Sequence, residues 1–250
     1  FLKETSELIA IWEGAKLTKE EALEVSGIIT VYWIDQFETI FEQLMQDANT
    51  VYLNSNEHAR ATINVETRTA RFNKWCQEKY NSHQYEKAAP FMHSLRALKH
   101  PLEIDLMQNA CNITEKGFRR VLDFVKPGVM EYEVEAEYIN EFLRNRSKGF
   151  AYEPIIASGY NACVLHYIDN NKECKTGDVI LMDVGAEYAN YASDMTRCVP
   201  VSGRFTDRQK DVYNAVLKVM KAATDMLRPG TMLTEYHKEV GLMMQSELLG

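Results

Sequence analysis

The stretch LMDVGAEYANYASDMTR, Leu181 to Arg197, sets two acidic residues inside what reads as a pair of neighbouring strands. Side chains alternate between the faces of a strand. Leu181, Asp183 and Gly185 therefore share one face of the first strand, and Ala192, Asp194 and Thr196 share one face of the second. A short loop centred on Tyr188 and Ala189 would bring Asp183 directly opposite Asp194, with Cβ atoms roughly 5 Å apart. Like charges so placed destabilise a sheet. Protonation of one carboxyl relieves the repulsion, as in aspartic-protease dyads. A cation between the two does the same, and oxygen-rich sites suit Mg²⁺ or Mn²⁺. A third reading is a different register, with each Asp facing solvent or capping a turn. No D-T-G or D-S-G motif accompanies the pair, which weighs against the protonated dyad.

Upstream, ASGYNACVLHYIDN (Ala157–Asn170) carries His166 after an apolar run and before polar turn residues. It reads as a histidine at a strand end. Its near-neutral pKa suits acid–base work, although a lone histidine in such a place is more often a surface or capped residue than a catalyst.

The 250-residue chain is 46% hydrophobic and 26% charged, ordinary for a globular protein of one large domain or two. A net charge of −8 excludes a basic nucleic-acid surface. No apolar run approaches the roughly 20 residues of a membrane span, so no membrane partner is expected, and the residues from Phe1 onward show no secretory-leader pattern. Five cysteines, Cys76, Cys111, Cys163, Cys174 and Cys198, include no C-x-x-C pair. An odd, scattered set fits reduced thiols, and a cytoplasmic location is expected.

Along the chain, LTKEEALEVSG predicts a helix with a capping box between Thr18 and Glu21 and a C-cap at Gly27. A turn is expected at Gly14. ITVYWI (Ile29–Ile34) and TVYLN (Thr50–Asn54) read as strands around the helical FETIFEQLMQ, an α/β unit reaching roughly to residue 90. After Pro101 a long helix is broken by KPG and resumes. Strand-like segments follow from FAYEP onward, then two more helices around RPG. LDFVKPGVMEYEVEAEYI and TDMLRPGTMLTEYHKEV echo one another: helix, basic residue, Pro-Gly, a Met two residues on, second helix. The echo suggests a duplicated half-domain whose second set of strands would begin where the chain stops. The expectation is a segment of a longer protein, with the strand face of Ile180, Met182 and Val184 packing against the absent half.

SGYNACVLHY with His166, MDVG with Asp183 and SDMTR with Asp194 together resemble the pita-bread metallopeptidase family. IWEGAKLT, DVGAEYANYASDMTR and RPG are similar to its aminopeptidase P branch. The resemblance implies an α+β architecture: residues 1–92 as the C-terminal part of an α/β creatinase-like N-terminal domain, and 93–250 as the first part of a pita-bread catalytic domain, incomplete here. It implies two divalent metal ions, with Mn²⁺ favoured, bridged by Asp183 and held by Asp194. The further ligands, a His and two Glu, are expected beyond Gly250. His166 would be catalytic without ligating metal, and Thr196 would support Asp194. Arg197 is expected to point away from the site, in a structural or ion-pairing role. The implied activity is removal of the N-terminal residue from peptides with proline second, by a homo-oligomer acting on proline-containing peptides. A prolidase-type dipeptidase and a catalytically silent peptide-binding module are the alternatives, and intact Asp183 and Asp194 weigh against the silent module.

Overall fold

The computed structural model describes residues 1–6, 16–55 and 65–249, in two compact units, Phe1–Leu98 and Lys99–Gly250. In the first, α1 (Lys19–Ser26) begins at the expected capping box: Thr18 Oγ1 accepts from the Glu21 amide at 3.2 Å, and the Glu21 carboxylate accepts from the Thr18 amide at 2.8 Å. Gly27, at φ +70°, closes the helix by donating to Leu23. α2 (Phe37–Asp47), β1 (Thr50–Leu53), α3 (Arg68–Lys79), β2 (Gln84–Lys87) and α4 (Ala89–Ala97) follow. β1 and β2 pair in parallel, Thr50 with Gln84 through Leu53 with Lys87. Parallel neighbours need a long crossover, and α3 lies within it. Phe37, Phe41, Phe72, Trp75 and Tyr80 pack ring against ring, with centroids 5.3–6.1 Å apart.

The strand expected over Ile29–Ile34 does not form. Among the described residues only Trp33 pairs, in one parallel bridge with Leu2, and Ile34–Gln36 is a 3₁₀ turn. β-branched and aromatic residues suit a pleated surface, but a strand needs a neighbour to accept its hydrogen bonds, and Leu2 supplies one position. The turn expected at Gly14 lies outside the described residues.

In the second unit, α5 (Pro101–Phe124) starts with proline at its first position and His100 Nδ1 accepting from the Leu102 amide. Its buried stripe, Ala110, Ile113, Thr114, Gly117 and Val121, keeps helical spacing. α6 (Glu131–Arg144) packs closely on it. A Cβ at Gly117 would lie 2.8 Å from the Tyr138 ring and 2.9 Å from that of Phe142, so only glycine allows this approach. β3 (Gly149–Phe150) and β4 (Ile155–Ser158) come next, then β5 (Val179–Val184), β6 (Ala186–Tyr188), β7 (Tyr191–Ala192) and β8 (Met195–Pro200). β4–β5–β8 form one antiparallel sheet and β3–β6–β7 another. α7 (Asp207–Met226) and α8 (Leu233–Leu249) complete the unit. Both Pro-Gly breaks carry glycine in the left-handed region, Gly128 at φ +94° and Gly230 at +91°, and each joins two helices that pack together.

The core corrects one expectation. Ile180, Met182 and Val184 are fully buried within this unit, against Val121, Val134, Tyr138 and Phe142. The opposite side of the strand pair is the open one. There Val179 and Cys198 face Phe205, Val212, Tyr213 and Val216 across an apolar groove of about 540 Å³.

Candidate metal centre

Asp183 lies on β5, and Asp194 immediately precedes β8. The two strands are antiparallel, as expected, but the register differs from the expected one by two residues. Asp183 pairs with Thr196, and Val184 with Met195. The cause is the turn. Ala189 and Asn190, at φ +50° and +67°, form the two-residue loop, and Tyr188 pairs with Tyr191. Two positive φ angles mark the tight hairpin turn that usually carries Asn-Gly, and an Ala-Asn pair does not advertise it. A shift of two preserves the face, so both aspartates still converge.

Their meeting point is Tyr152. Its hydroxyl is 2.7 Å from Asp183 Oδ1 and 3.2 Å from Asp194 Oδ1. One O–H carries one proton, so two carboxylates share a single donor. Burial, followed by the hydrogen bond and charge of Asp183 and then the charge of Asp194, holds the Tyr152 phenol far above its ordinary pKa. It is a permanent donor at physiological pH. Gly185 makes this placement possible. A Cβ there would stand 1.9 Å from the Ser193 carbonyl oxygen and 3.0 Å from the Tyr152 ring. The Ala151 amide donates to the Gly185 carbonyl at 2.8 Å, tying the tyrosine's segment to the strand break. Behind the break, the Ala186 amide donates to Thr114 Oγ1 and Ser193 Oγ, both at 2.9 Å.

His166 is not at a strand end. It is exposed, in a turn after the 3₁₀ segment Gly159–Cys163, and it makes no hydrogen bond among the described residues. The Thr196 side chain is exposed. Arg197 donates to the Thr196 carbonyl at 2.8 Å.

Two residues escaped the sequence reading. Tyr152 carries no local signal, because its partners are 31 and 42 positions away. Glu131 looks like an ordinary first-turn acid, yet it is fully buried. Its carboxylate accepts from the Ser158 amide (2.7 Å), Asn161 Nδ2 (3.3 Å), the Tyr167 hydroxyl (2.6 Å) and the Lys172 amide (2.9 Å).

The donor set at Tyr152 fits a hard divalent cation, being carboxylate oxygens with few competing hydrogen bonds. Among the described residues no three His, Cys, Asp or Glu side chains gather as a metal site.

Helices packed on antiparallel strands, with two aspartates converging on one hydroxyl, make up the site. The chain belongs to metallopeptidase family M24, whose profile matches residues 105–249; that of the aminopeptidase P N-terminal domain matches residues 1–52. The chain is 32% identical over 240 residues to an Xaa-Pro aminopeptidase of Haemophilus influenzae, covering 96% of this chain and 54% of the relative. Zinc-substituted Escherichia coli aminopeptidase P in complex with product superposes with a TM-score of 0.85 at 32% identity, over 100% of this chain and 57% of that one. Pseudomonas aeruginosa aminopeptidase PepP gives 0.87 at 29% identity, over 100% and 57%. The architecture is thus that of the aminopeptidase P structures, an M24 pita-bread domain with an N-terminal region before it. The chain spans about half the length of the curated relatives it matches.

Proposed function

We propose that this chain supplies part of the catalytic apparatus of a metal-dependent exopeptidase that releases the N-terminal residue from peptides with proline second. Similarity to Xaa-Pro aminopeptidases supports the substrate class. The observation that carries the chemistry is the convergence of Asp183 and Asp194 on one hydroxyl. In this reading Asp183 and Asp194 hold divalent ions, two Mn²⁺ being favoured. Such ions supply Lewis acidity when bound, polarising a carbonyl and lowering the pKa of a water.

The protein's own groups do the rest. Tyr152 keeps its proton and fixes the two carboxylates relative to one another. His166, free of other partners among the described residues, donates to the oxygen of the scissile carbonyl as negative charge develops there. Residues 1–92 form the end of the creatinase-like domain and 93–250 the start of the catalytic domain, supported by the two profile matches and by the division of the fold near Leu98. The five free cysteines agree with a cytoplasmic location.

The test is hydrolysis of Xaa-Pro-Yaa peptides and Xaa-Pro dipeptides by the full-length protein with Mn²⁺ or Zn²⁺. Release of the first residue from the longer peptides is expected. Cleavage of dipeptides alone would point to a prolidase-type enzyme, and no cleavage of either to a silent module.

A further inference from the structure

We infer that Glu131 is a positioning residue for His166, acting as a clamp on the two ends of the segment that carries it. The inference rests on the catalytic reading of His166 given above. The segment from Ser158 to Lys172 contains one short 3₁₀ turn and no strand beyond its first residue. A stretch this irregular does not hold its own shape. Glu131, at the first position of α6, grips it at four points. One carboxylate oxygen accepts from the Ser158 amide and Asn161 Nδ2, at the start of the segment. The other accepts from the Tyr167 hydroxyl and the Lys172 amide, near its end. The main chain reinforces the grip, since the Glu131 amide donates to the Lys172 carbonyl at 2.9 Å.

His166 is next to one of these anchors. Tyr167 is buried while His166 is exposed, so the backbone between them is fixed on one side and the imidazole projects on the other. With no side-chain partner of its own among the described residues, His166 takes its orientation from that backbone. A buried carboxylate is costly unless fully partnered. An apolar residue there would leave the Ser158 and Lys172 amides, Asn161 Nδ2 and the Tyr167 hydroxyl without their acceptor. A carboxylate is suited to this place because it offers two acceptor oxygens, one for each end.

The experiment uses the full-length protein, the variants Glu131→Gln, Tyr167→Phe and His166→Ala, and the first two each combined with His166→Ala. Glutamine keeps the size of Glu131 but offers one acceptor oxygen, so only one end can be satisfied. Tyr167→Phe releases the end nearest His166 and leaves the backbone donors in place, which guards against an unfolded Glu131 variant. Glu131→Gln should lower kcat roughly 10- to 100-fold with little change in KM, and Tyr167→Phe should lower it less. Neither substitution should lower kcat further once His166 is alanine. Amide exchange between Ser158 and Lys172 should accelerate in both variants, with or without substrate. If Glu131→Gln lowers kcat by the same factor in the presence and absence of His166, the positioning role is overturned. Unaltered exchange overturns the clamp itself. If His166→Ala leaves kcat intact while exchange accelerates, the catalytic reading of His166 fails and the clamp stands.

Discussion

Glu131 and the Asp183–Asp194 pair are carboxylate sites in the same unit, and they are served in opposite ways. Glu131 has four donors for one charge. Among the described residues, Asp183 and Asp194 together have one hydroxyl between them. A carboxylate surrounded by donors is finished: its charge is spent holding the fold. A pair that converges on one hydroxyl keeps lone pairs open to solvent or to a cation, and a cation between like charges relieves their repulsion. In the proposed reading the contrast separates an acid that shapes from an acid that binds, although both read as Asp or Glu beside an apolar run.

Removing charge from the binding pair should have the largest effect. Asp183→Asn in the full-length protein is expected to lower Mn²⁺-dependent turnover on the order of 10³-fold or more, beyond the cost of one lost oxyanion donor. Metal content should fall and the circular dichroism spectrum should stay close to that of the parent. Normal turnover at saturating Mn²⁺ would dissolve the contrast. His166→Ala should cost about 10²-fold in kcat, with metal content by elemental analysis unchanged. A loss of metal would move His166 into the ligand set.

Two further changes address the fold around the sites. Gly185→Ala places a methyl 1.9 Å from the Ser193 carbonyl and should destabilise the protein by about 3 kcal/mol, at the upper end for a forced close contact, read from the urea midpoint. The smallest effect belongs to the shaping site and depends on pH. Burial, then the bond to Glu131, pushes the Tyr167 phenol up to about 12. An unfolded tyrosine titrates near 10, so the folded state holds this proton longer. The stabilisation is complete below about pH 10 and is lost as pH rises through about 12. Denaturation midpoints measured between those values should fall with pH, and Tyr167→Phe should flatten the slope. An unchanged slope would mean that Tyr167 titrates as it does when unfolded.

Much of this could be read from the residues alone where the cause is local. The Thr18–Glu21 box, the cap at Gly27 and the Pro-Gly breaks depend on neighbours within a few positions, and each formed as expected. The aspartates fell on a common face because strand parity is local too. What failed was long-range. Ile29–Ile34 had the composition of a strand, but among the described residues only Leu2 pairs with it. The face of Ile180, Met182 and Val184 found its cover in α5 and α6. Glu131 resembled any solvated first-turn acid because its four donors arrive from 27 to 41 residues downstream.

The Ala189–Asn190 turn has a consequence for how this region can change. Surface loops generally absorb insertions and deletions freely. Here the hairpin works as a gear: each residue added to the turn advances one strand by half a period, turning its side chains to the other face. One extra residue would swing Asp194 away from Asp183 and Tyr152 and leave the acids on opposite sides of the sheet. Two would restore the common face but slide the carboxylates past each other. A site built from residues several positions away from the turn therefore constrains its length, and length variation tolerated elsewhere on the surface should be purged at Ala189 and Asn190.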